Sequence, residues 1–573
     1  MANGSGDDGM LSYVGDEFSA EVHGSVVTKR LNVLLGAAKS QGSSSNRSAE
    51  LLGTGFTVPA GPLCLRYWKS GRQRSEVLSC ASVISERRDR PAASMSTKAF
   101  IIWLAIAGVF GFAVRFGTFM WEGRTAPLSG DAVFYHETAN LLADGKGYIN
   151  PVFFNAGYCF DVGTREGPTY SFLPGLENCP TVDVVQPDGT VQTVPVTLPP
   201  GTQEPTAAHP PLWSFILSLA SRMGFDSVNQ HRMVGLLFGS LGVILIGLAG
   251  RELFGKRAGV VSAFIAASYG FLWLNDWSLM SESLVTVFVP VMTIIAVRWW
   301  RTPSWRFALL LGLLSGVGGL LRTELLAYGP LLVLAAIVVR RAQWKSLLRD
   351  FAIVSALGLA VLSPWLIRNM TSFNKPIFLS PTGTLQAQTN CDAAYYGEKT
   401  GYWERYCAEP EPVGADGSML DESERDAIKR SWATEYISNH KSRLIVVAPL
   451  RTLRMFNLYD PIGTARFDIY VENREFRQSM LALVQYYVVA LLALVGAVIA
   501  WRRRLSLLPV LMWPAMVALV AAASFGNNRY RVSVEPSFIW LASLALCVVF
   551  DRVRRNQRMS VSEATVSTAT SPS

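Results

Sequence analysis

Beyond about residue 95 this chain is dominated by apolar stretches too long and too closely spaced for the core of a soluble domain. About ten follow one another, over 98–120, 232–250, 258–275, 282–298, 307–321, 324–339, 350–366, 479–500, 505–524 and 533–550. Each is near the twenty or so helical residues that cross a hydrocarbon core roughly 30 Å thick. Composition agrees, since half of the 573 residues are hydrophobic and 17% are charged, against about a quarter in soluble domains. The expected fold class is an all-α polytopic membrane protein with about ten transmembrane helices.

The net charge of +9 would suit a nucleic-acid partner if the basic residues formed one patch, but they fall as short clusters between the apolar runs. Arg251, Lys256 and Arg257; Arg298, Arg301 and Arg306; Arg340, Arg341, Lys345 and Arg349; Arg502, Arg503 and Arg504; and Arg552, Arg554 and Arg555 all fall on one side. By the positive-inside rule that side is cytoplasmic, and both termini lie there. The opposite side receives two large extracytoplasmic loops, 121–231 and 367–478, and three short turns. No nucleic acid is expected as a partner.

Residues 1–94 are rich in Ser, Gly and charge, without a spanning run or the pattern of a secretory signal. They read as a disordered extension, and Met95, directly before the first apolar stretch, as a plausible true start. The expected organisation is this extension at 1–94, a transmembrane catalytic module at 95–366 that includes the first loop, the second large loop at 367–478, C-terminal transmembrane helices at 479–551 and a cytoplasmic tail at 552–573.

Of seven cysteines, Cys159 and Cys179 lie in the first loop and Cys391 and Cys407 in the second. An oxidising exterior would let Cys159–Cys179 and Cys391–Cys407 close as disulfides; four free thiols are the alternative. Cys547 lies in the last span and suits packing. No close C-x-x-C pair suggests a zinc or redox framework.

Chemistry is expected in the loops. Soon after the first span comes Ser129-Gly130-Asp131-Ala132-Val133-Phe134-Tyr135-His136, with apolar residues at roughly helical spacing up to Gly145. It reads as an amphipathic helix lying in the outer interface, started near Asp131 and stopped by Gly145. Asp131 and Tyr135, one turn apart, share a face. Asp131 is either an N-cap or a carboxylate that takes a proton from a bound hydroxyl. Glu282, at the external start of the fourth span, is either a functional intramembrane acid or an acid satisfying the helix dipole.

Arg322 and Glu324 occupy the tight hairpin between spans five and six. The arginine either grips the phosphate of a lipid carrier or pairs across the two spans. Arg529 and Arg531 break the depletion of positive charge on their side, and read as phosphate contacts or as sites for ordinary lipid headgroups. Arg368 reads as a snorkelling side chain. His136 and His209 have no second ligand at metal spacing, so no metal site is expected. Tyr395 and Trp403 in the second loop suit sugar stacking or the aromatic belt of any membrane surface. Residues 409–435 read as an acidic, solvated surface helix. No P-loop or dinucleotide fingerprint occurs, and the glycines at 312–319 lie within a span, where they let helices approach.

The Asp131-to-Tyr135 pattern, with its continuation Ala139-x-Leu141-Leu142-x-x-Gly145-x-Gly147-Tyr148, resembles the GT-C superfamily of integral-membrane glycosyltransferases. Within it the chain looks most like bacterial relatives of protein mannosyltransferases and lipid A aminoarabinose transferases. Pro205-Thr206-Ala207-Ala208-His209-Pro210-Pro211-Leu212, Gly250 to Gly259, Met280-Ser281-Glu282, Leu321-Arg322-Thr323-Glu324 and Asn528-Arg529-Tyr530-Arg531 also resemble family positions. The resemblance covers about 98–551. Many members carry two adjacent acids in the first loop, where this chain has Gly130-Asp131, with Glu122 as a weaker substitute.

The resemblance implies a GT-C-like fold and a sugar moved from a polyprenyl-phosphate carrier to a cell-envelope glycan, lipid or protein, at the outer face of the bacterial plasma membrane. The transfer would be of a hexose or pentose, by direct displacement with inversion. Asp131 and Glu282 are the catalytic candidates, and Arg529, Arg531 and Arg322 the phosphate ligands. Tyr135, His136, His209, Glu324, Tyr395 and Trp403 are candidates for substrate contact. Some members use a divalent cation, which nothing in this sequence demands. The alternatives are a transporter or flippase of lipid-linked sugars, and an O-antigen-like glycan polymerase or ligase.

Overall fold

Helices dominate because lipid offers the backbone no hydrogen-bond partners, so each spanning stretch satisfies its own amides. The computed structural model describes residues 95–159, 179–185, 190–409, 411–414, 416–472 and 474–569. The reading of residues 1–94 as disordered lies outside the described residues, as do Cys64 and Cys80.

The first span, α1 (Thr97–Thr118), is capped by the Ser96 hydroxyl and runs on as a wider turn to Gly123. In the first loop come α2 (Asp131–Ala143), α3 (Pro151–Ala156), a hairpin of β1 (Thr181–Val185) and β2 (Val191–Pro195), and α4 (Leu212–Arg222). The bundle continues with α5 (Val228–Phe254), α6 (Lys256–Ser268), α7 (Gly270–Trp277), α8 (Glu282–Arg301), α9 (Trp305–Gly319), α10 (Thr323–Val339) and α11 (Trp344–Ser372). The second loop holds α12 (Gly383–Thr389), α13 (Asp392–Tyr395), α14 (Glu422–Asn439), α15 (Lys441–Met455) and α16 (Pro461–Glu472). Last come α17 (Phe476–Arg502), α18 (Leu508–Ala523), a tight turn over Asn528–Ser533 and α19 (Glu535–Ala569).

Among the described residues six helices are long and apolar enough to cross a membrane, and a seventh span exists if α6 and α7, bent by 52° at Tyr269, count as one. Three shorter apolar helices, α9, α10 and α18, fall at the remaining stretches of the expected ten. The fold is all-α and polytopic. The glycine stretch 312–319 lies in α9 against α11.

A buried ion pair ties the bent span to the first: Arg115 Nε lies 2.6 Å from Asp276 Oδ2, both side chains inaccessible. Arg115 also donates to the Gly111 carbonyl at 3.1 Å. A Cβ at Gly239 would fall 2.1 Å from Asp276 Oδ2, so α5 carries glycine where α7 must approach it. Both cysteine pairs are joined, Cys159 to Cys179 and Cys391 to Cys407.

Two expectations about the loops need correction. The helix from Asp131 is not an amphipathic helix on a membrane surface: Ala132, Val133, Phe134, Tyr135, His136, Ala139, Leu141 and Leu142 are buried around its circumference, with α4 packed against it. The acidic helix α14 is not solvated either. Arg425, Asp426 and Lys429 are buried, with Arg425 2.8 Å from Glu204 of the first loop and Lys429 2.6 Å from Glu411. Its alternating charges pair inward and join the two loops.

Candidate active site

Four chain segments far apart in sequence meet at the loop-bearing end of the bundle. Gly130, at φ 54°, turns the chain into α2 and puts Asp131 at its first position. Gly130, the residue before it, supplies no side-chain cap, so Asp131 is not the N-cap and its carboxylate faces other groups. Arg529 Nη1 lies 3.0 Å from Asp131 Oδ2, and Arg529 Nε donates to Glu282 Oε1 at 2.9 Å. Arg322 Nη1 donates to that same Glu282 oxygen at 2.7 Å, while its Nε reaches Glu324 Oε1 at 2.6 Å. Acid and base alternate from Asp131 through Arg529, Glu282 and Arg322 to Glu324.

Exposure is greatest at Asp131, one end of this chain of charges, and vanishes at Glu282 in its middle. The Asp131 side chain keeps 32% of its surface, Arg529 14%, Arg322 11% and Glu282 none. The cluster is therefore open at Asp131 and closed at Glu282. Tyr530 covers it, with the Arg322 guanidinium 5.1 Å from its ring centre, and Met280 Sδ lies 3.6 Å from Arg529 Nη2.

His209 completes the open end, with Nε2 3.6 Å from Asp131 Oδ1 and its ring 4.7 Å from that of Phe134. Its position follows from the double proline after it: Leu212 N donates to Leu320 O at 2.9 Å, and the Tyr148 hydroxyl donates to the His209 carbonyl at 3.0 Å. Burial alone would raise the Asp131 carboxyl, but the His209 ring and the Arg529 guanidinium hold it below the usual carboxylate value. Burial in turn lowers His209 below its ordinary value, against the pull of Asp131. Tyr135 is buried, its hydroxyl 3.4 Å from Ser281 Oγ.

Other candidates stand elsewhere. His136 faces away, its Nδ1 3.0 Å from that of His231, and burial, His231 and Arg232 push it down to about 4. Arg531 is not in the cluster: it is fully buried, bonded to Glu535 and to the Met455 carbonyl at 3.1 Å, with its guanidinium 3.7 Å from the Tyr486 ring centre. An offset of two residues along a tight turn sends Arg529 and Arg531 into different surroundings. Tyr395 is buried with its hydroxyl on Asn390 Oδ1 at 2.9 Å, and Trp403 stacks beside Tyr402. Glu122 accepts from Gln478 and does not reach Asp131. Arg368 does not snorkel, since Nη1 and Nη2 donate to the carbonyls of Thr206 and Tyr148 at 2.8 and 2.7 Å. Among the described residues no group of three or more His, Cys, Asp or Glu is placed to hold a metal ion.

Sequence reasoning passed over Arg474, buried beside Arg529 and Asn528, and the pair Arg115–Asp276. Arg115 and Asp276 had a signal, charge within apolar stretches. Arg474 had one too, a positive charge on the depleted side.

The fold and the cluster together define an all-α polytopic membrane protein with alternating acids and arginines gathered at its loop-bearing end. Residues 208–367, which hold His209, Glu282, Arg322 and Glu324, match the family model described as dolichyl-phosphate-mannose-protein mannosyltransferase. No curated protein matches the chain. Among solved structures it is similar to the oligosaccharyltransferase AglB from Archaeoglobus fulgidus, in complex with an inhibitory peptide and a dolichol-phosphate: 15% identity, TM-score 0.44, over 81% of this chain and 52% of that one. The chain thus spans about half the length of that relative. It is also similar to ArnT from Cupriavidus metallidurans bound to undecaprenyl phosphate, with 14% identity and TM-score 0.36, over 79% of this chain and 78% of that one.

Proposed function

We propose that this protein transfers a sugar from a polyprenyl-phosphate donor to a cell-envelope acceptor at the outer face of the plasma membrane. The observation that carries the reading is the convergence of Arg529 and Arg322 on Glu282, with Arg529 also touching the ionised, partly open Asp131. The mannosyltransferase family match over the stretch holding Glu282 and Arg322 supports it. The outer-face assignment rests on the basic residues at the opposite ends of the spans and on cysteine pairs in both large loops.

The chemistry asks little beyond two tasks. The acceptor O–H proton passes to an Asp131 oxygen as the acceptor oxygen bonds to the sugar's anomeric carbon. The bond from that carbon to the phosphate oxygen breaks, and its electron pair stays on the phosphate. Arg529 and Arg322 stabilise the charge that grows there, their forked donors matching phosphate oxygens. Glu282 holds both guanidiniums in place, and His209 borders the acceptor side. Direct displacement with inversion accords with this arrangement.

The test uses the purified full chain in lipid nanodiscs, a panel of polyprenyl-phosphate sugars and envelope extract as acceptor source, with release of sugar-free carrier as the readout. Asp131→Asn should slow release by at least about a hundredfold. Full transfer by that variant would remove Asp131 from the mechanism.

A further inference from the structure

The second large loop reaches back to the first through one acid, Glu422, in the first turn of α14. An acid there ordinarily answers the helix dipole. Its neighbours leave it another task. Asp421 caps the helix, accepting from Glu424 N at 2.8 Å and from Asn374 N at 2.7 Å, and Ser423 Oγ accepts from Lys375 N at 2.9 Å. The turn is thereby pinned, on both sides of Glu422, to the segment that follows α11. The Glu422 carboxylate goes to the first loop instead: Oε1 accepts from the buried Ala207 amide at 3.0 Å, and the hydroxyl of buried Thr206 also donates to it. The Thr206 oxygen in turn accepts from Ala208 N at 3.1 Å. One side chain thus orders the three residues directly before His209.

His209 brings Nε2 to 3.6 Å from Asp131 Oδ1, and its ring also meets those of Phe134 and Tyr135. All three partners belong to α2, whereas the His209 backbone belongs to a separate segment, so the approach of ring and carboxylate depends on what holds that segment. We propose that Glu422 is a positioning residue for the proposed transfer, on which this inference rests: it fixes the backbone of residues 206–208 and so sets the His209 imidazole against Asp131. A carboxylate suits the task because it takes two donors at once. Burial raises the Glu422 carboxyl above its ordinary value, and the Thr206 hydroxyl and Ala207 amide oppose that rise by bonding the ionised form. The charged groups around it are Arg425 on its own helix, Arg368 on α11 and Glu204 in the first loop. Those around Asp131 are His209, Arg529 and Glu282. Glu422 therefore acts on the site through His209 and not as a charge beside the reacting carboxylate. Small misplacements of an aligned group cost rate, while the phosphate ligands Arg529 and Arg322 are left as they stand.

The test measures carrier release by the full chain in nanodiscs, with the polyprenyl-phosphate sugar that wild type consumes fastest and envelope extract as acceptor source. Variants are Glu422→Ala and Glu422→Gln, each alone and with His209→Ala. Glu422→Ala should lower kcat about tenfold and leave the KM for donor at the wild-type value. It should also move the acid limb of the pH–rate profile to higher pH, because the His209 ring helps to hold Asp131 below the usual carboxylate value. Glu422→Gln keeps an acceptor for the Ala207 amide, and its rate and acid limb should stay near those of wild type. In the His209→Ala background, Glu422→Ala should lower the rate no further. Equal losses in both backgrounds, which a general loosening of the two loops would give, overturn the proposal, as does an acid limb that stays in place or a rate that does not fall. In each of those cases wild type still releases carrier and the proposed function stands. If wild type releases carrier from no donor, the proposed function falls and the part given to Glu422 falls with it.

Discussion

Arg529 lies 3.0 Å from Asp131, and the same guanidinium donates to fully buried Glu282. Arg529 therefore belongs both to the open carboxylate and to the closed one, and its loss is felt at each. Arg529→Gln removes one of the two groups, with His209, that hold Asp131 below the usual carboxylate value. A base acts only when ionised, so activity falls as pH drops through the Asp131 pKa. In wild type that fall lies below the ordinary carboxylate range, and in Arg529→Gln it moves to higher pH. The pH–rate profile of carrier release checks this, and an unmoved acid limb would remove Arg529 as the controlling charge.

Arg322 forks between Glu282 and Glu324 at 2.7 and 2.6 Å. A lysine offers one point charge where two separated carboxylates need a planar fork. Arg322→Lys should lower stability by about 1–3 kcal/mol and weaken binding of sugar-free polyprenyl phosphate. Thermal unfolding and carrier binding read the two effects separately.

The Arg115–Asp276 pair lies in the membrane-spanning bundle with both side chains inaccessible. Arg115→Met leaves a buried carboxylate uncompensated and should cost about 3–5 kcal/mol, whereas Arg115→Met with Asp276→Asn should recover part of that. Unfolding of the single and double variants in detergent measures the difference.

Cys391 and Cys407 close a loop of separation 16 in the second large loop. Cys391→Ser with Cys407→Ser should destabilise by about 3 kcal/mol, and a reducing agent should lower the midpoint of the double variant less than that of wild type, since only Cys159–Cys179 is left to reduce.

Burial pushes Glu204 from its ordinary 4.5 up to about 7, against the pull of Arg425 and with Glu422 adding to the rise. The folded carboxyl holds its proton where the unfolded one has released it. Its contribution to stability is full below about pH 4.5 and is lost as pH rises toward 7. Thermal midpoints across pH 4–8 should fall less steeply in Glu204→Gln than in wild type.

The spans and the four segments of the cluster were legible in the sequence because lipid imposes length and apolarity on a helix, and because charge at span ends is costly enough to stand out. Asp131, Glu282, Arg322 and Arg529 were each visible for that reason. What stayed hidden was direction. Nothing in Asn528-Arg529-Tyr530-Arg531 says that one arginine faces Asp131 and the other packs against Tyr486, since a tight turn rotates side chains by amounts that spacing does not encode. The burial of α2 was hidden likewise: periodicity reveals the face a helix turns to a core, but not a second layer such as α4 covering the other. In α14, charged residues look solvated until Glu204, more than two hundred positions away, supplies their partner.

Arg368 holds the Thr206 and Tyr148 carbonyls, and the Tyr148 hydroxyl holds that of His209. The first loop is thereby riveted to the helix that leads into the second. Exchanging either loop alone for that of a relative would break the rivet, so swaps meant to retarget the acceptor must move both halves as one cassette, with Arg368 between them.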